Sequence, residues 1–383
     1  MIKNANIVEC GEREQDSAEI DNNDPPLSDT EKRLLRWRLQ REARKLLPHE
    51  RVAFCMRRMQ SSTVEVMYSP EQQSAHYGGL MACGSVWLCP VCAARVSERR
   101  RQELEGAIKR CNAIGGSVYL VTYTIEHDKH DDLEELLQAF LAARRRSKQG
   151  SAAQKLRKQF AILGTVSAQE VTWSKVNGWH PHCHELVFFA SDIDVDEYAK
   201  VASDQWRKSA EKMGLHMNEH GFRIVRTYGA IADYVAKYGR EPLQQTWGAA
   251  AEMTKAHLKA GRVKGHFTPF MMLTLISQGY NELKPLFVEY ARCFKGKHQL
   301  VWSAGLRSQL EMDEPEKSDL QLASEPEEKV VTLGCLTREQ WSFILLKDIR
   351  EHVLEIARSG DWNDVMIFLA ERSGLYDTAG EPL

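Results

Sequence analysis

Residues 162–189 read ILGTVSAQEVTWSKVNGWHPHCHELVFF, and this stretch decides the fold. Two runs rich in Val, Thr, Trp and Phe, ILGTVSAQEVTWS and PHCHELVFFAS, flank Asn177-Gly178. They read as antiparallel strands around a hairpin turn. Alternate residues on a strand share a face, so His182 and His184 point the same way, together with Leu186 and Phe188. The chain has only 13 histidines, which makes three at strict alternation (His180, His182, His184) a pattern that needs a reason. Two imidazoles a strand-pitch apart can hold one divalent ion, and Glu170 on the neighbouring strand is the candidate third ligand. That arrangement calls for Glu170 opposite His184 and Thr172 opposite His182, with the turn centred on Asn177 and closed by an odd-numbered loop or a bulge. A two-residue Asn-Gly turn would set Glu170 against Glu185, on the wrong face.

Outward from the hairpin, SVYLVTYTIEH (117–127) reads as a third strand and DDLEELLQAFLAARRRSK as an amphipathic helix. DVDEYAKVASDQWRKSAEKMG follows as a helix, GFRIVRT as a short strand, and YGAIADYVAKYG as a helix closed by Gly239. The expected fold class is α+β. Residues 111–241 should form an antiparallel sheet of about five strands with helices on one face. Residues 1–29 are polar and acidic and read as a disordered tail. Residues 30–110 hold a helix from about 31 to 47 capped by Ser28 or Asp29, a cysteine-containing module, and a basic helix stopped at Gly115-Gly116. Downstream, 242–310 read as a helical extension, 311–330 as an acidic linker, and 331–383 as a small helical tail without assignable chemistry.

Two further clusters carry chemistry. In Asp233-Tyr234-Val235-Ala236-Lys237-Tyr238-Gly239 the tyrosines lie four apart on one helical face, with Lys237 beside them. A phenol ionises near pH 10, so it attacks well only if something favours the phenolate or activates the electrophile; a metal that polarises a phosphate and a lysine that balances developing charge would do both. In Cys83-x5-Cys89-Pro90-Val91-Cys92 the spacing suits thiolates wrapped around one tetrahedral zinc, with Cys55 or His76 as the fourth ligand. His127, Asp128, His130 and Asp131 sit at a strand-to-helix junction, where Asp131 reads as a helix cap rather than a ligand.

Composition sets the boundaries. With 383 residues, 43% hydrophobic and 27% charged, the chain can bury one large core or two ordinary ones. It shows neither a run of about 18 apolar residues nor a signal-peptide start, so a cytoplasmic protein with no membrane partner is expected. Nine cysteines in such a chain argue for metal binding over disulfides. The formal charge of −2 conceals a division: residues 1–31 carry −7 and residues 311–329 carry −6, leaving +11 on the remainder. That charge gathers at Arg57 and Arg58, at Arg95, Arg99, Arg100 and Arg101, and from Arg144 to Lys148, as expected of a body that holds a polyanion. No GxxxxGK[ST] phosphate loop is present.

HPHCHELVFF followed about fifty residues later by YVAKY resembles the HUH endonucleases, and within them the rolling-circle replication initiators of bacterial plasmids and single-stranded DNA phages. VYLVTYTIEH looks like that family's first motif. RVAFC, CGSVWLCPVCAARVSERR, GHFTPFMML and KGKHQLVWSAGLR extend the resemblance to the plasmid replication proteins over about residues 50–310. It implies a metal-dependent enzyme that nicks and rejoins one strand of origin DNA through a 5′-phosphotyrosine. Mg2+ or Mn2+ would sit at His182, His184 and Glu170, with Tyr238 as first nucleophile and Lys237 nearby. It also favours Cys55 over His76 as the fourth ligand of a structural Zn2+. The position four before the nucleophile is often glutamate in the plasmid family but is Tyr234 here, which is similar to the two-tyrosine phage initiators. His180 reads as a group behind the metal ligands or as a DNA contact. A host helicase and polymerase are the expected partners. The competing readings are a two-tyrosine transposase of the same superfamily and a non-catalytic, zinc-dependent DNA-binding regulator.

Overall fold

The computed structural model describes residues 28–227, 266–312, 314–325 and 329–373. Among them, β1 (Val64–Ser69), β2 (Ser74–Gly78), β3 (Ser117–Thr124), β4 (Ile162–Ser174), β5 (Gly178–Phe189), β6 (Phe222–Arg226), β7 (His266–Phe267), β8 (Leu300–Trp302) and β9 (Val331–Leu336) form two sheets. The larger runs β6-β3-β5-β4-β7 with β8 also on β4; the smaller runs β2-β1-β9. Every pairing is antiparallel. The α+β class therefore holds. The stretch 242–310, read as helical throughout, adds two short strands to the free edge of β4. Runs of two or three residues are too short to show a strand period in sequence.

The β4–β5 hairpin turns through Lys175, Val176 and Asn177, with Ser174 paired to Gly178. The loop is odd-numbered as expected, but its centre is Val176, one residue earlier than the sequence reading placed it. Glu170 consequently stands opposite His182, Ala168 opposite His184 and Thr172 opposite His180. This corrects the expected Glu170–His184 pairing, a slip of two residues that leaves every side chain on its intended face. The cause lies in the turn. Asn177 N–H donates to Ser174 Oγ at 3.0 Å, and Gly178 takes a left-handed φ of +70°. A Cβ on Gly178 would come within 2.7 Å of Lys129 Cα, so conformation and space both demand glycine there.

Helices α1 (Asp29–Leu46) and α2 (Pro90–Ala113) precede the large sheet, while α3 (Leu133–Ser147), α4 (Gly150–Gln159) and α5 (Val195–Glu211) lie within its connections. On β5 the odd residues Cys183, Val187 and Phe189 are buried with Tyr123, Phe140, Tyr198 and Trp206 on the α3/α5 side. The even residues Leu186 and Phe188 are buried on the other side with Leu104, Ala107, Ile108 and Cys111 of α2. Those four α2 residues follow the spacing of one helical face. Helices therefore cover both faces at this end of the sheet, correcting the one-face expectation; periodicity reveals an apolar stripe but not which sheet face receives it. The helix-capping residue before α3 is Asp132, whose carboxylate accepts from Glu134 N and Glu135 N, while Asp131 accepts from Asp128 N. Asp131 is thus one position short of the cap assigned to it.

Downstream come α6 (Pro269–Ser277), α7 (Lys284–Phe294), α8 (Leu306–Gln309), α9 (Asp319–Ser324), α10 (Arg338–Lys347), α11 (Arg350–Ile356) and α12 (Trp362–Ser373). The tail carries three α-helices between Arg338 and Ser373, but β9 ahead of them pairs with β1 and so joins this segment to the N-terminal module.

Beneath the histidine strand, Glu185 is buried with Arg144 Nη2 at 2.8 Å, Lys148 Nζ in contact and Ser167 Oγ donating at 2.6 Å. The Arg144 guanidinium lies 3.4 Å from the centroid of the Tyr123 ring. Burial alone would raise the Glu185 pKa, but the two cations outweigh it and hold the carboxyl at about 2. Part of the basic run Arg144–Lys148 is therefore internal rather than a surface for a polyanion. Arg144→Met would leave Glu185 short of its buried partner and should lower the unfolding free energy by about 3–5 kcal/mol in a urea titration at neutral pH. Because the Glu185 pKa is depressed, its stabilisation is present above the ordinary carboxylate range and fades as pH falls toward 2. Wild type should lose this increment in that window and Arg144→Met should not; equal stability of the two at pH 7 would contradict the assignment.

Candidate metal centres

Strand pleating carries the apolar even face of β5 into a polar end. Past Leu186 the same face presents His184 and then His182, flanked by Ala168 and Glu170 on β4 and by Thr122 and Thr124 on β3. Glu170 Oε2 lies 3.2 Å from His182 Nε2 and 3.7 Å from His184 Nε2. The candidate ligand atoms of all three fall within 4.8 Å of one another. Glu170 and His184 are buried and His182 is half-buried. His184 Nδ1 is engaged by Thr122 Oγ1 at 3.0 Å, which turns Nε2 toward Glu170. Two imidazoles and one carboxylate suit a borderline or hard divalent cation and leave coordination positions open.

His180 stands behind this group. Its Nε2 is 3.1 Å from Thr124 Oγ1 and its Nδ1 3.1 Å from His127 Nδ1. Burial, and then the neighbouring His182 and His127, push its pKa down to about 3, so the ring is neutral at physiological pH. His127 was set aside in the sequence with Asp128, His130 and Asp131, and the structure separates it from them by pairing it with His180. Thr122 and Thr124 were missed. They alternate on VTYTIEH, and only the β3–β5 register reveals that the threonines point at the histidines.

The second group is Cys55, Cys83, Cys89 and Cys92, all buried, with His76 outside it on β2. Sulfur–sulfur separations of 3.5 Å (Cys55–Cys92), 3.6 Å (Cys83–Cys92) and 3.7 Å (Cys55–Cys89) approach the edge of about 3.8 Å of a tetrahedron with metal–sulfur bonds of about 2.3 Å. Backbone N–H groups of Cys83, Ser85 and Cys92 donate to Cys55, Cys83 and Cys89 Sγ respectively. Such donors favour thiolates, so the pocket fits a closed four-sulfur metal site. Cys89 is also the N-cap of α2, with Pro90 at the first helical position, which ties this cluster to the helix behind the large sheet.

The model of the Replication protein family matches residues 81–344, more than half of the chain and including both the CPVC pair and the histidine hairpin. The chain belongs to the Replication protein family. Protein rep of Streptomyces lividans is 27% identical to this replication protein over 365 residues, covering 77% of this chain and 79% of the relative. A neomycin resistance protein of Streptomyces cyanogenus is 32% identical over 195 residues, 40% of this chain and 44% of that relative. No solved structure matches. No described helix is long and apolar enough to cross a membrane.

For a replication protein the expected polyanion is DNA, but the basic cluster on α2 is already occupied. Arg100 is buried and pairs with Glu103 and Asp319, Arg101 pairs with Glu98 and Glu105, and Arg99 pairs with Glu325. Arg95 donates to Ala323 O. The acidic segment read as a linker is, in its described part, a strap along α2 that buries Leu322 and Ala323. Sequence counted the charges but could not see that the −6 segment folds onto part of the positive remainder. Tyr234, Lys237 and Tyr238 lie outside the described residues. Arg100→Met should lower the unfolding free energy by about 3 kcal/mol yet leave unchanged the slope of log affinity for DNA against log salt. A slope reduced by about one, the signature of a lost phosphate contact, would contradict this.

Proposed function

We propose that this replication protein initiates rolling-circle replication by nicking one strand of origin DNA and later rejoining it. The observation that carries the reading is the convergence of Glu170, His182 and His184 on one face of the sheet, with their candidate ligand atoms within 4.8 Å of one another. These residues would hold Mg2+ or Mn2+, which when bound polarises a phosphodiester and stabilises the charge that develops on it. Tyr238 Oη attacks the scissile phosphorus. The bond to the 3′ oxygen breaks, the phenolic proton ends on that oxygen, and a 5′-phosphotyrosine and a 3′ hydroxyl result. Lys237 balances charge near the phenolate, and Tyr234, four residues before Tyr238 in the sequence, takes part in the terminating transfer. Because the phosphoryl linkage is conserved, rejoining needs no nucleotide cofactor.

Within this reading, Thr122 keeps His184 in the tautomer that presents Nε2, a role that outer groups commonly fill at histidine sites. His180, neutral and backed by His127, adds no positive charge beside the ligands. The four cysteines Cys55, Cys83, Cys89 and Cys92 hold a structural Zn2+ that fixes the start of α2. The DNA is single-stranded or locally extruded at the nick, since both the metal face and the tyrosine must reach one phosphate. A host helicase supplies unwinding and a host polymerase extends the 3′ hydroxyl. The protein works in the cytoplasm.

A single-stranded oligonucleotide spanning the origin, incubated with Mn2+, should be cut at one position by wild type. EDTA should stop cutting, and His184→Ala should slow it at least about 100-fold while DNA affinity by fluorescence anisotropy stays within about twofold. Cutting at the normal rate in EDTA would refute the metal assignment. Tight binding without any cutting, under all divalent cations tried, would instead mark the chain as a non-catalytic DNA-binding protein.

A further inference from the structure

The C-terminal segment, to which sequence assigned no chemistry, delivers a buried cation to the cysteine cluster. Arg350, at the start of α11, has 0% of its surface exposed. Its Nη1 donates to Gln40 Oε1 at 3.2 Å, to Met56 O at 2.9 Å and to Cys55 O at 3.5 Å. Gln40 on α1 is itself buried, and its Nε2 donates to Cys89 Sγ at 3.3 Å. One amide thus bridges a thiolate ligand and a guanidinium, and the same guanidinium holds the carbonyl of a second ligand residue. Tyr77 Oη donates to Arg350 O at 2.8 Å and the guanidinium carbon sits 4.8 Å from the Trp37 ring, so the side chain is locked in place.

Arg350 lacks a full counter-charge among the described residues. The nearest carboxylate, Asp348, stands 4.0 Å away and is shared with Arg41. Nε and Nη2 of Arg350 have no hydrogen-bond partner among the described residues. A buried, under-compensated cation is destabilising on its own. Four thiolates around one divalent ion, however, leave two negative charges, and those charges lie one residue from the guanidinium.

We propose that Gln40 and Arg350 form the outer shell of a four-thiolate zinc centre, and that the centre thereby ties the C-terminal segment to the N-terminal module. This rests on the reading of the four cysteines as a zinc site. Both residues lie outside the stretch 81–344 that matches the family model.

The test is zinc affinity of the full-length protein, measured by competition with a chromophoric chelator at pH 7, with circular dichroism to confirm folding. Gln40→Leu and Arg350→Met should each weaken zinc binding about 10- to 100-fold, and Arg350→Lys should restore most of the loss. Arg41→Met removes the ion pairs to Asp348 and Glu351 that also dock this segment, and the Arg41 side chain itself bonds neither the Gln40 side chain nor a ligand residue, reaching Arg350 only through the shared Asp348. It should leave zinc affinity within about twofold of wild type, which separates an outer-shell role from mere docking. If Arg350→Met fails to fold, Gln40→Leu decides alone. Wild-type affinity in Gln40→Leu, with zinc present in the wild-type protein, would overturn the inference and spare the zinc site. Absence of zinc from freshly purified wild type would overturn both.

Discussion

Everything proposed for the metal face depends on the antiparallel register between β4 and β5. Backbone hydrogen bonding places Glu170 across from His182 and brings its carboxylate within reach of His184 on the same face. A register slip of one residue would send the carboxylate to the opposite side, against Arg144 and Lys148. The three-residue turn and the left-handed Gly178 prevent that slip. On the far side, the Glu185 network clamps β5 to α3 and to β4. The two faces therefore serve different ends: one supplies ligands and the other fixes the strand that carries them.

Much of this arrangement was legible in the sequence. Alternation in HPHCHELVFF named the strand and the face, and β-branched residues around Asn177-Gly178 named its partner. The pleat put His182 and His184 on one face, and Glu170 joined them on the assumption of an odd-numbered loop. The register was wrong by two, because side-chain pattern is blind to even-numbered slips and only turn geometry decides among them. Thr122 and Thr124 escaped because they act across a strand pairing that composition does not encode, and His127 was named but not linked to His180.

Charge was the least legible quantity. The clusters at Arg99–Arg101 and Arg144–Lys148 read as a surface for a polyanion, yet several of these cations are neutralised inside the protein by Glu185, Glu325, Asp319 and near neighbours on α2. Linear sequence shows how many charges a segment has, whereas pairing depends on folding across more than two hundred residues. The same separation hid the last segment: β9 completes the small sheet beside β1, and Arg350 reaches the cysteine cluster from nearly three hundred residues away. Segments so far apart in sequence that meet at one buried centre give no local signal of it.

The central claim is that a tyrosine between β6 and β7, outside the described residues, works with this metal face on a DNA phosphate. The most direct measurement is to trap the protein on single-stranded origin DNA with Mn2+, digest it, and identify by mass spectrometry the peptide that carries the 5′ nucleotide. The account places that nucleotide on Tyr238, with Tyr234 modified only in the second transfer. A nucleotide found on neither tyrosine, with cutting nonetheless observed, would contradict it.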